Sequence, residues 1–167
     1  TSDDPITASD HTDIVSGQPD SEIYLYDAAA GAAGSLACIS CNPSGARPAG
    51  KKVGNSNDEG LNWASGRIPP WPDQMRPSRI LATNGSYLFF ESFDRLVLGD
   101  TTAKQDVYEW RAASSKAQCI DKGAEAEAPG TGGGLTLQRS GADPADSKLP
   151  DARADGTGAT SPSETAP

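Results

Sequence analysis

The sequence lacks any long apolar run, and its hydrophobic stretches fall far short of the roughly 18 residues that a membrane-spanning helix needs. Basic residues are also few: 14 Lys and Arg stand against 23 Asp and Glu, which leaves a formal net charge of −9 over 167 residues. Nucleic acids and anionic lipid surfaces are bound through clustered Lys and Arg. We therefore expect no nucleic-acid partner and no insertion into a membrane.

Residue types that carry common catalytic or metal chemistry are scarce as well. The single histidine, His11, lies in "SDHTD", where we expect it to be exposed in a polar loop, and no G-x-S-x-G nucleophile motif is present. The nearby acids, among them Asp13 and Asp20, lack the spacing of a calcium-binding loop and are expected to be solvated. The sequence therefore predicts a non-enzymatic protein with no catalytic, cofactor-binding or metal-binding residues.

Only three cysteines occur, and an odd number cannot pair completely within one chain. Cys38 and Cys41 form a C-x-x-C in "CISCNPSG", which weakly indicates a redox motif or half of a zinc site. The redox motif is expected near a βαβ pattern, and tetrahedral zinc needs four ligands, for which only Cys119 and His11 remain. We expect instead a local disulfide between Cys38 and Cys41, an unpaired Cys119, and an extracellular or cell-envelope location.

Glycine and proline, by contrast, are abundant, with 18 and 13 residues, and they divide the chain. Residues 42–77 form a Gly/Pro-rich insertion in which central strands are not expected, because proline cannot donate a ladder hydrogen bond. Residues 123–167 contain no aromatic residue and too few aliphatics to offset a backbone ordering cost of roughly 1–2 kcal/mol per residue. We expect a body over residues 1–122 and a disordered low-complexity tail over 123–167, or a tail that results from a shifted reading frame.

The patterned segments of the body predict antiparallel strands. "SEIYLYD" and "GSLACIS" are joined by a Gly- and Ala-rich connection, which predicts a hairpin over about residues 20–41. "RILATNG" and "SYLFFES" meet at Asn84-Gly85, a strong hairpin signal, and "VYEWRA" and "AQCID" follow. These four runs predict one four-stranded unit over about residues 78–121. "SEIYLYD" is apolar on both faces, as expected for a strand of a sheet that is packed on two sides.

The two predicted hairpins are similar to each other. When Glu22 is aligned with Asp106, Tyr24 meets Tyr108 at an offset of 84 positions, and Cys38 meets Cys119 at an offset of 81. The match covers two coupled strands, which favours a repeated hairpin over a chance likeness of aromatic strands. We predict that the core of this repeat consists of Ile23, Tyr24, Tyr26, Phe89, Val107, Tyr108 and Trp110.

Repeated antiparallel hairpins with short loops are typical of a β-propeller. The motifs "YLYDAAAG", "LATNGSYLFFES" and "QDVYEW" resemble TolB-like β-propeller repeat proteins over about residues 20–121. The resemblance implies an all-β fold of one to two propeller blades with long loops. A fragment of this length leaves the apolar blade faces uncovered, so we expect them to need more chain or a second copy.

Two tryptophans are candidate binding residues, Trp63 and Trp71. Trp63 closes "SNDEGLNW" (Ser56 to Trp63), which looks like the Asp-box of sialidase-type propellers, a structural hairpin motif. Trp71 lies in "IPPWPDQ", where it either stacks on a sugar or a partner's proline or covers a blade. The sequence predicts a binding or scaffolding module for protein or carbohydrate; the alternatives are a fragment of a sialidase-like glycoside hydrolase and a truncated product without a function of its own.

Overall fold

The computed structural model describes residues 6–7, 9–53, 62–68, 80–82, 84–113, 125–128, 133–138, 151–152 and 159–160. Within these residues the fold is all-β, as the sequence predicts, and no helix there is long and apolar enough to cross a membrane. The strands are β1 (Asp20–Ser21), β2 (Tyr24–Asp27), β3 (Ser35–Cys38), β4 (Lys51–Val53), β5 (Asn62–Ala64), β6 (Gly66–Arg67), β7 (Tyr87–Ser92), β8 (Asp106–Arg111), β9 (Glu125–Glu127), β10 (Gly134–Leu137), β11 (Asp151–Ala152) and β12 (Ala159–Thr160).

The largest sheet of the described residues has five antiparallel strands in the order β6-β7-β8-β10-β9. Its centre is the pair β7 and β8, which runs in register from Tyr87↔Arg111 to Ser92↔Asp106. Successive side chains of a strand point to opposite faces. Phe90 and Tyr108 stack with ring centroids 5.7 Å apart on one face, while Phe89 and Val107 pack together on the other. Both faces of this strand pair are therefore buried. The sequence predicts two-sided burial for "SEIYLYD" instead, and its strand β2 is only half-buried at its first two residues and exposed at the other two.

The predicted hairpin at Asn84-Gly85 is confirmed, although its first arm is short. Leu81 forms an antiparallel bridge with Leu88, and the Gly85 N–H donates to the carbonyl of Ala82 at 2.9 Å. Gly85 has φ 70°, a left-handed conformation that glycine adopts without steric cost. The last two residues of β7 pair with β6. The segment around Leu81 and strand β6 therefore pair with the same side of β7.

The first predicted hairpin is also confirmed, because β2 pairs with β3 from Tyr24↔Cys38 to Asp27↔Ser35. A disulfide joins Cys38 to Cys41, as the sequence predicts. Tyr26, however, was wrongly predicted to lie in the core: its side chain is 60% exposed, since it sits near the open turn. There its hydroxyl donates to the carbonyl of Ala33, and its ring covers Gly34.

The expectation that residues 42–77 contain no central strand is wrong for β5. β4 pairs antiparallel with β5, and β5 pairs in parallel with β1, which makes a three-stranded sheet in the order β1-β5-β4. β6 also lies in this segment and extends the larger sheet. All three strands lie in the proline-free stretch between Pro48 and Pro69, so no proline removes a hydrogen-bond donor from them.

The expected disorder of residues 123–167 is wrong for the stretch that contains β9 and β10. β10 pairs with β8, placing Leu135 opposite Trp110, and both Leu135 and Ala128 are fully buried in the main core. Composition averaged over the segment hid this, because it does not show which residues pair with β8 and bury their side chains there. A further pair, β11 with β12, also lies in this segment.

The predicted repeat core is buried at Ile23, Phe89, Val107, Tyr108 and Trp110, and half-buried at Tyr24. The repeated tyrosines both lie on strands, but in different sheets: Tyr24 in the β2–β3 hairpin and Tyr108 in the five-stranded sheet. The predicted fourth strand, "AQCID", lies outside the described residues, and β10 occupies the position beside β8. The order of strands around β8 therefore differs from the predicted blade.

Candidate functional site

An open groove of about 870 Å³ lies between the loop 42–49 and the loop 93–103. Asn42 shapes the first loop, because its side-chain oxygen accepts from the Ser44 N–H at 3.1 Å in an Asx turn. Two hydrogen bonds join the loops: the Asn42 amide donates to the carbonyl of Arg95 at 3.4 Å, and the Ala49 N–H donates to the Asp94 carboxylate at 2.7 Å. The groove is therefore held by specific contacts across its base.

Apolar, cationic and acidic side chains share the lining of this groove, the acids being Asp94 and Asp100. Ile14 and Leu98 line it and are largely exposed, Leu98 to 97%. Arg47 is held in place because its guanidinium donates to the carbonyls of Thr12 at 2.8 Å and Asp13 at 3.0 Å. Arg95 also lines the groove and is exposed to solvent.

Three buried carboxyls lie beneath the groove, and each is anchored to backbone N–H groups. Asp94 accepts from Ala49, Asp20 accepts from Gly50 at 3.0 Å, and Asp13 accepts from Val15 at 2.9 Å and from Ser16. Gly50 cannot be replaced freely, because a Cβ there would lie 2.6 Å from the carbonyl oxygen of Ala64 and against the Asp20 carboxylate. The backbone therefore brings three like-charged groups together in a buried environment.

Burial and mutual repulsion act on these carboxyls unequally. Burial raises the pKa of Asp20 to about 7, with further increases from Asp13 and Asp94, and burial also raises the pKa of Asp94 to about 6. Burial opposes the charge on Asp13 too, but the N–H groups of Ser16 and Val15 outweigh it, so the pKa of Asp13 lies below its usual range. Near neutral pH, Asp13 carries charge while Asp20 exchanges a proton.

Glu22 continues this buried network toward the disulfide. Its carboxyl oxygens accept from the hydroxyls of Ser40 and Ser65, each at 2.5 Å, and the Ser40 oxygen accepts from the Ile23 N–H at 2.8 Å. Burial raises the pKa of Glu22 to about 7, against the lowering effect of the two hydroxyls, with smaller increases from Asp94 and Asp20. The group is therefore hydrogen-bonded yet able to hold a proton near neutral pH.

Tyr108 ties the second groove loop to the central sheet. Its hydroxyl donates to the Asp100 carboxylate at 2.5 Å, lies 3.1 Å from the carbonyl oxygen of Asp94, and accepts from the Leu96 N–H at 3.4 Å. Burial raises the pKa of Tyr108, so the phenol stays neutral and remains a donor. The position of this loop therefore depends on a residue of β8.

One set of potential metal ligands stands out within the described ranges: Glu22, Cys38 and Cys41, whose ligand atoms lie within 4.8 Å of one another. Both sulfur atoms are joined in the disulfide, so neither is a thiolate able to bind zinc. The arrangement in this oxidised form is a carboxyl beside a disulfide, and not a metal centre.

The residues singled out from the sequence do not converge on the groove. Trp63 is half-buried on β5, opposite Lys52 of β4 and Asp20 of β1. Trp71 and Cys119 lie outside the described residues, as do residues 56–61 of the Asp-box. His11 is buried and not exposed as expected, because its backbone carbonyl accepts from the Asp20 N–H and holds it against β1.

The buried acids were missed at the sequence level. Asp13 and Asp20 were expected to be solvated, yet both are fully buried, because backbone N–H groups replace the water that an exposed carboxylate would bind. The sequence did contain one indication that Glu22 is buried. Glu22 begins the first segment of the repeat and Asp106 begins the second, and both acids are buried.

The chain matches no family model, no curated protein and no solved structure. The groove and the buried acids beneath it must therefore be interpreted from their own chemistry.

Proposed function

We propose that the protein is a non-enzymatic β-sheet module that binds another protein, and that its groove receives an extended segment bearing an apolar side chain and a carboxylate. The observation that carries this proposal is Leu98, which is 97% exposed on the rim of the groove. Transfer of a leucine side chain from water into a protein contact contributes roughly 1.5–3 kcal/mol. A partner that covers Leu98 and Ile14, which both line the groove, gains binding free energy from the burial of each side chain.

Charge supports an acidic group on that partner. Arg95 is exposed in the groove, whereas Arg47 is held by two backbone carbonyls and by an ion pair with Asp10 at 3.7 Å. Guanidinium groups bind carboxylates through paired N–H donors. Although the whole chain is acidic and Asp94 and Asp100 also line the groove, Arg95 offers an exposed cation to a ligand.

A carbohydrate ligand is less well supported by the lining of the groove. Sugars stack on exposed aromatic faces, and Phe93, the aromatic side chain in the lining, is buried with the Lys51 ammonium 5.2 Å from its ring centroid. We therefore favour protein over carbohydrate. The Cys38–Cys41 disulfide supports an extracellular or cell-envelope location for this binding, since such bonds persist in oxidising compartments.

The TolB-like propeller architecture is part of this proposal. Its support is the run of antiparallel strands β6, β7, β8 and β10 and the placement of both repeated tyrosines on strands. In this architecture more chain or a second copy completes the array.

The test is an array of short peptides that vary the number of leucines and the sign of the charged residue. Wild-type protein should prefer peptides with an apolar side chain and a carboxylate, and Leu98→Asp should bind them about tenfold or more weakly. Leu36→Asp is the matched control, since Leu36 is exposed on β3 outside the groove lining, and it should bind as wild type does. Arg95→Glu should shift the preference toward basic peptides. Equal binding by Leu98→Asp and wild type would refute the proposal.

A further inference from the structure

A buried carboxyl lies against the C-x-x-C disulfide at the end of β3. An oxygen of Glu22 and the sulfur atoms of Cys38 and Cys41 all lie within 4.8 Å of one another. The three residues are 1%, 2% and 5% exposed, respectively. Cys41, the more accessible of the two cysteines, is followed directly by Asn42, which lines the groove.

Two features of this arrangement favour cleavage of the disulfide by a thiol. The Cys41 N–H donates to the sulfur of Cys38 at 3.1 Å, and such a bond strengthens when the acceptor becomes a thiolate. An oxygen of Glu22 lies within 4.8 Å of the same sulfur, a separation that one bridging water spans for proton transfer. When the thiolate that leaves is stabilised, it is a better leaving group, and the disulfide is cleaved faster.

We propose that Cys38–Cys41 is a thiol–disulfide exchange site at which Glu22 is the proton donor, and that its reaction partner is a dithiol that attacks Cys41. A thiolate of the dithiol attacks the Cys41 sulfur and forms a mixed disulfide. The Cys38–Cys41 bond breaks, its electron pair stays on Cys38, and the Glu22 carboxylic acid protonates that sulfur.

The second thiolate of the dithiol then completes the exchange. It attacks its own sulfur in the mixed disulfide, forms a disulfide within the partner and releases Cys41 as a thiolate. Solvent returns one proton to Cys41 and one to Glu22, which balances the two protons lost by the dithiol. Overall, two electrons pass to the protein, which is reduced to two thiols while the partner is oxidised.

The surroundings of Glu22 suit this role. Burial raises its pKa to about 7, and its two serine hydrogen bonds hold the carboxyl in position. The titratable groups that act on it are Asp94 and Asp20, and Glu22 in turn acts on the Tyr24 hydroxyl. Both the acid and its conjugate base are therefore present near neutral pH, which a proton donor requires.

The test measures reduction of the folded protein by dithiothreitol across pH, in a Cys119→Ser background so that only the two site cysteines react. The rate constant is divided by the fraction of dithiothreitol present as thiolate, and products are trapped by alkylation and counted by mass spectrometry. The corrected rate should be level at acidic pH and fall up to about tenfold per pH unit above the pKa of Glu22. Glu22→Gln should lose this fall, whereas Asp20→Asn, which removes a carboxyl of similar pKa, should keep it.

A second measurement is independent of whether Glu22→Gln folds. The pKa of Glu22 in the folded, oxidised protein, read from the NMR shift of its carboxyl carbon, should coincide with the bend in the rate profile. Three results would overturn the proposal: a corrected rate without a bend, a bend at the pKa of Asp20, or reduction no faster than global unfolding. The last would make the disulfide a structural cross-link only. None of these results bears on peptide binding at Leu98, so the two proposals fail separately.

Discussion

Replacement of Leu135 by alanine tests whether residues 134–137 belong to the folded core. Leu135 is fully buried on β10, opposite Trp110 of β8, and packs in the main hydrophobic cluster. Truncation removes three carbons and leaves a cavity beneath a rigid pair of strands. Such changes cost about 2–5 kcal/mol of unfolding free energy, and we expect about 3 kcal/mol here.

Urea unfolding followed by tryptophan fluorescence measures this cost directly, because Trp110 lies across the strand pair from the substitution. With an m value of about 2 kcal/mol per molar urea, a loss of about 3 kcal/mol lowers the midpoint by about 1.5 M without changing m. Leu98→Ala is the control: Leu98 is almost fully exposed, and its substitution should change stability by less than about 0.5 kcal/mol. If Leu135→Ala matched this control, the segment would be the unstructured tail that its composition predicts.

Two further predictions concern the buried acids. Burial raises the pKa of Asp20 and of Glu22 to about 7, so both carboxyls bind protons more tightly in the folded than in the unfolded protein. Their contribution to stability is therefore full below about pH 4 and is lost as the pH rises to about 7. Urea unfolding should show stability falling over this range, less steeply in Asp20→Asn, and equal slopes in the two proteins would contradict the assignment. Gly50→Ala should lower the unfolding free energy by about 1–3 kcal/mol, since its Cβ would lie 2.6 Å from the Ala64 carbonyl oxygen. Thermal melting checks this, and an unchanged melting temperature would refute the close approach.

Local features of the sequence were predicted well because they depend on neighbouring residues. The Asn84-Gly85 turn needs a residue that accepts positive φ, and Gly85 supplies it. The spacing of Cys38 and Cys41 permits only a short loop, and the disulfide forms there. The apolar runs "SYLFFES" and "VYEWRA" likewise predict strands, and β7 and β8 form there.

The site, in contrast, depends on contacts between distant parts of the chain. Asp20 and Asp94 are separated by many residues, and nothing in their immediate neighbours indicates burial. Their environment arises because Gly50 and Ala49 direct backbone N–H groups at them from the intervening loop. An acid that loses water and gains such donors changes its pKa, and sequence spacing alone does not reveal this exchange.

The sequence by itself determined the all-β class, the two hairpins and the local disulfide, since each follows from the conformational preferences of adjacent residues. Only the tertiary structure decided that Leu135 completes the sheet beside β8, that Tyr26 stays exposed, and that Glu22 lies against the disulfide. These outcomes depend on which segments, far apart in the sequence, pack together and exclude water from the surfaces between them. Burial is a property of the assembled chain, whereas strand and turn preference belongs to the residue and its nearest neighbours.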